Sequence, residues 1–373
     1  MANNAVDRIF TVNLGAAPDE KVIVLTDIID GAESPSIKER ERRDDLRELA
    51  KEVAEAGKKF CRTEYLEYPA PEEHGCEPPA LVWRAAFGAD ALNGLNEAGI
   101  LIKLLDKKAG EQDIRKAEEI IKKNNLRTCD AVVALSNFST SHTRFRDLLT
   151  RIKGVRYASM PLFERQMLDG SMTANWTEVD KRTMRLVEKF KDGETVFITS
   201  HNGTSINFSI KGRELKPDTG ILTKPGSFGN LPAGEAYLAP VEGTAVGTLI
   251  LEYAPAGRLK NPVTLEVKNG RVIEVAGKGG FARELRARIK ADPLCGNIAE
   301  LGIGTNEKAT RPDNILETEK ILGTVHIALG DNSSFGGKVS VPFHEDFIFL
   351  RPTLEVIKGE EKTEILVEGE PRF

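Results

Sequence analysis

Two different rhythms of hydrophobicity run along this chain, and one uniform sheet cannot satisfy both. In the first, short β-branched runs alternate with long helical patterns. Val22-Ile23-Val24-Leu25-Thr26 reads as a buried strand, and Tyr65–Tyr68, Ala131–Leu135 and Val155–Met160 read as further strands. Between them, Asp44–Gly57, Ala85–Lys107 and Glu111–Asn124 carry helical periodicity. That alternation specifies a mostly parallel sheet flanked by helices. A helix over Val179–Phe190 leads out of this region, and the rhythm then changes. Thr195–Thr199, Ser205–Ile210 and Gly247–Leu251 are short strands split by Gly, Asn and Pro. Val263–Val267 and Arg271–Val275 flank Lys268-Asn269-Gly270, a hairpin signal, and one helix is expected over Phe281–Ala291. The expected organisation is an α/β domain over residues 1–190 and a mainly antiparallel β (α+β) domain over residues 191–373 that binds metal.

Composition narrows the function classes. A chain of 373 residues has the length for two domains, and its net charge of −5 comes with no basic stripe, so no nucleic-acid partner is expected. The run Lys38–Arg43 interleaves acids with bases and reads as a solvated helix face. No apolar stretch approaches a membrane span, and the first residues lack the pattern of a secretory signal. Cys61, Cys76, Cys129 and Cys295 are scattered without a C-x-x-C pair, which argues against a disulfide frame or structural zinc and for a cytoplasmic setting. The turn after the first strand, Asp27-Ile28-Ile29-Asp30-Gly31, lacks the glycine spacing of a dinucleotide site, and later glycine clusters read as turns.

The chemistry-bearing residues concentrate in the C-terminal half. His344-Glu345-Asp346 precedes the apolar run Phe347–Leu350, and period two puts His344 and Asp346 on one face of a strand. His326 sits in Thr324–Gly330, where every neighbour is small or apolar, and its nitrogens need partners there. Glu235 and Glu300 are single acids in otherwise uncharged segments, costly to bury unless paired or ligated. Glu242 is a third candidate acid and reads as structural or as a support behind the ligands. Together Glu235, Glu300, His326, His344 and Asp346 form a carboxylate/imidazole set suited to a borderline divalent ion such as zinc, cobalt, manganese or iron. His142 reads as a cap or surface residue, with a role at substrate only if a dimer closes over the site. His74 and His201 are assigned nothing, and Trp83 and Trp176 read as packing residues.

Several stretches resemble the aminopeptidase T family of metallo-aminopeptidases. They are Asn230–Glu235, Ala299–Gly302, Val325–Gly330 and His344–Asp346, with looser likeness at Gly203–Ile206, Ser139–Thr143 and Gly154–Arg156. The resemblance implies a homodimer and two metal ions (zinc, cobalt or manganese) on Glu235, Glu300, His326, His344 and Asp346. It also implies hydrolysis of the N-terminal residue of a small peptide by a metal-activated water, with Glu235 or Glu300 shuttling the proton. One position departs: the family has an active-site tyrosine seven residues after the histidine matching His326, and here that position is Ser333. The same resemblance extends to dihydroxypyridine dioxygenases. These imply one ferrous ion, for which His326, His344 and Asp346 suffice. A metal-binding homologue without turnover is the third expectation.

Overall fold

A computed structural model describes residues 4–31, 33–124, 128–254 and 257–373. The chain divides into two compact units. One comprises residues 1–173 and 220–232, the other residues 174–219 and 233–373. The sequence places a single boundary near residue 190. In the structure Trp176–Lys189 is a helix counted with the second unit, and Phe228–Asn230 returns to the first unit by pairing with Arg156–Ser159.

The first unit carries a five-stranded parallel sheet. Its order is Arg62–Pro69, Lys21–Ile28, Ala131–Ala134, Arg156–Ser159 and Phe228–Asn230. Its core includes Ile23, Leu25, Val132, Tyr157 and the fully buried Trp83. The single helix expected over Ala85–Lys107 is corrected to three, Ala80–Phe87, Ala89–Glu97 and Leu101–Leu105. Gly88 breaks it at φ +90, a conformation outside the helix that L side chains rarely adopt. The charged run Lys38–Arg43 lies on the helix Ile37–Gly57, but Arg43 is 4% exposed and paired with Glu33.

The second unit is antiparallel. An eight-stranded sheet includes the hairpin of Gly257–Lys268 and Arg271–Ala276, whose tip residues Asn269 and Gly270 both have positive φ. A five-stranded sheet has the order His344–Phe349, Val325–Gly330, Ile298–Gly304, Glu235–Leu238 and Lys216–Asp218. Leu238, Leu301, Ile303, Ile327 and Phe347 of the smaller sheet share one buried cluster with Val196, Leu249 and Leu354 of the larger. That cluster claims one face of the five-stranded sheet and leaves the other for polar side chains. No helix among the described residues is long and apolar enough to cross a membrane. All four cysteines are free.

Candidate metal centre

The polar face of the five-stranded sheet gathers every acid and histidine singled out from the sequence as a ligand. Register explains how. Ala328 pairs with Glu300 on one side and Asp346 on the other, so the two carboxylates flank a methyl group. His326 pairs with Gly302, which pairs with Tyr237 on the next strand. Glu235 lies between Gly304 and Asp218, and His344 lies opposite Gly330.

Glu300 reaches this face through an irregularity. Ile298 belongs to the core, and strict alternation would send Glu300 inward beside it. The register slips between Ile298 and Glu300, which re-aims the rest of the strand. Leu301 and Ile303 then enter the core, and Glu300 faces the two histidines.

The side chains converge closely. His326 Nε2 lies 3.4 Å from Glu235 Oε2 and 3.6 Å from Glu300 Oε1. His344 Nε2 lies 3.5 Å from both Glu300 Oε2 and Asp346 Oδ2. Among the described residues, Glu300, His344 and Asp346 are the set that offers three ligand atoms all within 4.8 Å of one another. The His344 ring is oriented from behind, where Nδ1–H donates to the Asp331 carbonyl at 2.7 Å. That leaves Nε2 deprotonated and aimed at the carboxylates when an ion is bound, the arrangement usual for a metal-ligating imidazole. His326 is 1% exposed and its Nδ1 has no hydrogen-bond partner. Its ring lies over Gly302, where any Cβ would collide with it.

Electrostatics show a site that demands positive charge. Burial disfavours the charged imidazoles, but the surrounding carboxylates outweigh it. His326 is raised to about 9 by Glu300, Glu235 and Asp346, and His344 to about 10 by Asp346 and Glu300. Burial pushes Glu235 up and raises Glu319 to about 8. Lys320, 0% exposed, donates to Glu235 Oε1 at 2.7 Å and to Glu319 Oε2 at 2.8 Å. Burial alone would lower its pKa, yet Glu235 and Glu319 hold it well above the ordinary lysine value. Glu235 Oε2 and Asp346 Oδ1 are buried without hydrogen-bond partners. Orphaned carboxylate oxygens beside two imidazoles match the donor set of a divalent ion, so the residues fit a metal.

A stability prediction follows. Without metal, both histidines have folded pKa values above the unfolded 6.5, so their stabilisation is complete below pH 6.5 and is lost as pH rises through about 9 to 10. The melting temperature of metal-free protein is expected to fall across that window. A bound ion already displaces these protons, so loaded protein should lose less. Parallel melting curves for the two forms across the window would refute this assignment of charge.

The remaining candidates lie elsewhere. Glu242 is structural, as expected: it accepts from Arg213 Nη2 at 2.6 Å, Lys338 N at 2.7 Å and Asn332 Nδ2 at 3.2 Å, and so fixes the loop after Asp331. Ser333, where the aminopeptidase resemblance expects tyrosine, is exposed and donates to both Asp331 carboxylate oxygens at 3.1 Å. His142 is exposed and belongs to the first unit, and His74 Nδ1 there accepts from Ser139 N at 3.0 Å. Sequence reasoning missed Lys320, Glu319, Asp331, Tyr237 and Gly302. Glu317-Thr318-Glu319-Lys320 has the composition of a solvated run, and only tertiary placement reveals its burial.

Comparison with known proteins bears on which chemistry this arrangement serves. A family model described as NicX, 2,5-dihydroxypyridine 5,6-dioxygenase, matches residues 94–365. A 2,5-dihydroxypyridine 5,6-dioxygenase of Pseudomonas putida KT2440 is 26% identical over a 208-residue alignment that covers 49% of this chain and 59% of that protein. The chain thus aligns with less than two thirds of that relative's length. The solved 2,5-dihydroxypyridine dioxygenase of Pseudomonas putida KT2440 superposes with a TM-score of 0.65 at 20% identity, over 94% of this chain and 91% of that one. Wild-type AmpT from Thermus thermophilus superposes with a TM-score of 0.56 at 15% identity, over 99% and 98%. At these identities the superpositions establish a shared fold.

The matched family overturns the expectation of a peptide-hydrolysing metallo-aminopeptidase, and with it the hydrolase and protease assignments, and it lends zinc no support. The likeness to AmpT extends only to the fold. The physical reason is that carboxylates and imidazoles serve Lewis-acid and redox-active ions alike, so the ligand motifs alone could not separate the two chemistries.

Proposed function

The chain belongs to the 2,5-dihydroxypyridine 5,6-dioxygenase family, and from that premise we propose that it is a ring-cleaving dioxygenase acting on a dihydroxylated pyridine through one ferrous ion. The observation that carries this reading is the convergence of Glu300, His344 and Asp346 on the polar sheet face, with the His326 imidazole beside Glu300. His344 and Asp346 would hold the ion, with His326, expected from the sequence, or the nearer Glu300 as the third ligand. When bound, it supplies the redox chemistry that reaction of a closed-shell ring with dioxygen requires. The ring C5–C6 bond is broken, and both atoms of dioxygen end on the two carbons released.

The chain's own residues bind and orient. Phe335 packs edge-on against both Tyr237 and His344, with ring centroids 5.8 and 5.9 Å apart. This aromatic corner offers a flat surface to a heteroaromatic ring. Burial, together with Glu300, Asp218 and Glu235, holds the Tyr237 phenol above its ordinary pKa, so it stays protonated and is available to donate to a hydroxyl oxygen carried by the substrate ring. The Asp331 carbonyl keeps His344 in one tautomer. A small cavity of about 20 Å³, water-sized rather than ring-sized, lies against the cluster between Tyr253, Glu319, His326, Asp346 and Ile348.

The test is an oxygen electrode with chelator-stripped protein reloaded anaerobically with Fe(II) and given 2,5-dihydroxypyridine. One oxygen consumed per ring lost, with no uptake when Zn(II) replaces Fe(II), is the expected result. Absence of uptake across a panel of dihydroxylated pyridines and catechols would overturn the proposal.

A further inference from the structure

The cluster holds more buried acid than one divalent ion balances. Burial keeps Glu319 protonated below about pH 8, so Glu235, Glu300 and Asp346 carry three negative charges, one more than a divalent ion balances, and a two-metal centre would answer the surplus with a second ion. The chain instead places a lysine ammonium among them. Lys320 Nζ sits between Glu235 and Glu319 at 2.7 and 2.8 Å, with its side chain wholly buried. The lysine backbone is pinned, because its N–H donates to the Glu317 carbonyl at 3.0 Å and its carbonyl accepts from Asn306 N at 2.9 Å. We propose that the Lys320 ammonium is the resident second cation of the centre: seated between Glu235 and Glu319, it neutralises the Glu235 carboxylate that a second metal ion would need as a ligand, so that the site holds one ion.

The inference rests on the reading of this cluster as a metal centre. The argument is steric and electrostatic. A metal ion bound to a carboxylate lies roughly 2.0–2.2 Å from its oxygen. An ion on Glu235 Oε1 would therefore compete for the oxygen that already accepts from Nζ, and two positive charges in that space repel strongly where water is excluded. Glu235 then divides its work: Oε1 neutralises Lys320, and Oε2 faces His326. The residues left for the metal are Glu300, His344 and Asp346, with His326 beside Glu300.

The experiment counts ions without turnover. Chelator-stripped protein is equilibrated with Mn(II), freed of excess, and assayed for manganese per chain and for the electron paramagnetic resonance signature of isolated or coupled ions. Native protein is expected to hold one isolated ion. Lys320→Met and Lys320→Gln, which remove the charge, are expected to hold two, while Lys320→Arg holds one. Two ions in native protein, or one ion in a folded charge-removing variant, would overturn the proposal. If both such variants fail to fold alone, refolding in excess Mn(II) should recover them with two ions per chain, and failure of that rescue also overturns it. No binding of Mn(II) or Fe(II) by native protein would remove the metal-centre reading itself, and this inference with it. A count of two alongside iron-dependent oxygen uptake would remove only the inference.

Discussion

Replacing His344 with alanine is expected to abolish iron binding and oxygen uptake together, while the protein remains folded. The imidazole contributes one of the three convergent ligand atoms, and it is the only one carried by a nitrogen. Disturbing a residue that merely orients a ligand typically lowers metal affinity 10–100-fold, so deleting the ligand itself should cost roughly 100-fold or more. The fold should tolerate the change. The His344 side chain is 28% exposed, at the start of an edge strand whose apolar anchors are Phe347 and Phe349. Its hydrogen bond to the Asp331 carbonyl is worth about 1 kcal/mol, and the variant also loses the positive charge that Asp346 and Glu300 face, so metal-free His344→Ala is expected to melt below metal-free native protein while still folding. His201→Ala, at an exposed histidine of the same unit, is the control and should keep both metal and activity. Elemental analysis and an oxygen electrode decide the matter. Full iron occupancy in His344→Ala would mean the ion is held elsewhere.

What the sequence disclosed and what it withheld follow from the range of the forces involved. His344 and Asp346 share a strand, and period two is enough to put them on one face. The burial of Glu235 and Glu300 was legible from the absence of other charges around them, because an isolated buried acid needs a partner. The direction of Glu300 was not legible, since alternation from Ile298 aims it into the core and only the register slip reverses that. Pairing across strands was equally hidden: nothing local says that Ala328 separates Glu300 from Asp346. Lys320 was the largest omission, because a lysine between acids reads as solvated until the fold removes the water. The chemistry was misread for a different reason. The five side chains expected as ligands do meet on one sheet face, but their types suit a hydrolytic ion and a redox ion equally, and similarity over residues 94–365 separated the two.

Gly302→Ala tests whether the face was shaped for an imidazole. Gly302 stands directly opposite His326 across the ladder, and a Cβ there would collide with Nε2, Cε1 and Cδ2 of that ring. The strand backbone at Gly302 does not have the positive φ that demands glycine, so the methyl group's cost is steric. Overpacking of this kind typically costs about 1–3 kcal/mol. The ring must move away from Glu235 and Glu300, and activity is expected to fall roughly 10–100-fold, the range seen when residues that support a metal site are disturbed. The decisive comparison places the same alanine in a His326→Ala background. There the offending ring is gone, the methyl group enters the vacated space, and the stability cost should largely vanish. Denaturant unfolding of the four proteins in the cycle measures this directly. An equal cost of Gly302→Ala in both backgrounds would show that the glycine serves the backbone or another neighbour. A coupling near the full single-mutant cost would show that this strand gives up a side chain so that His326 can lie flat against the sheet and face the acids.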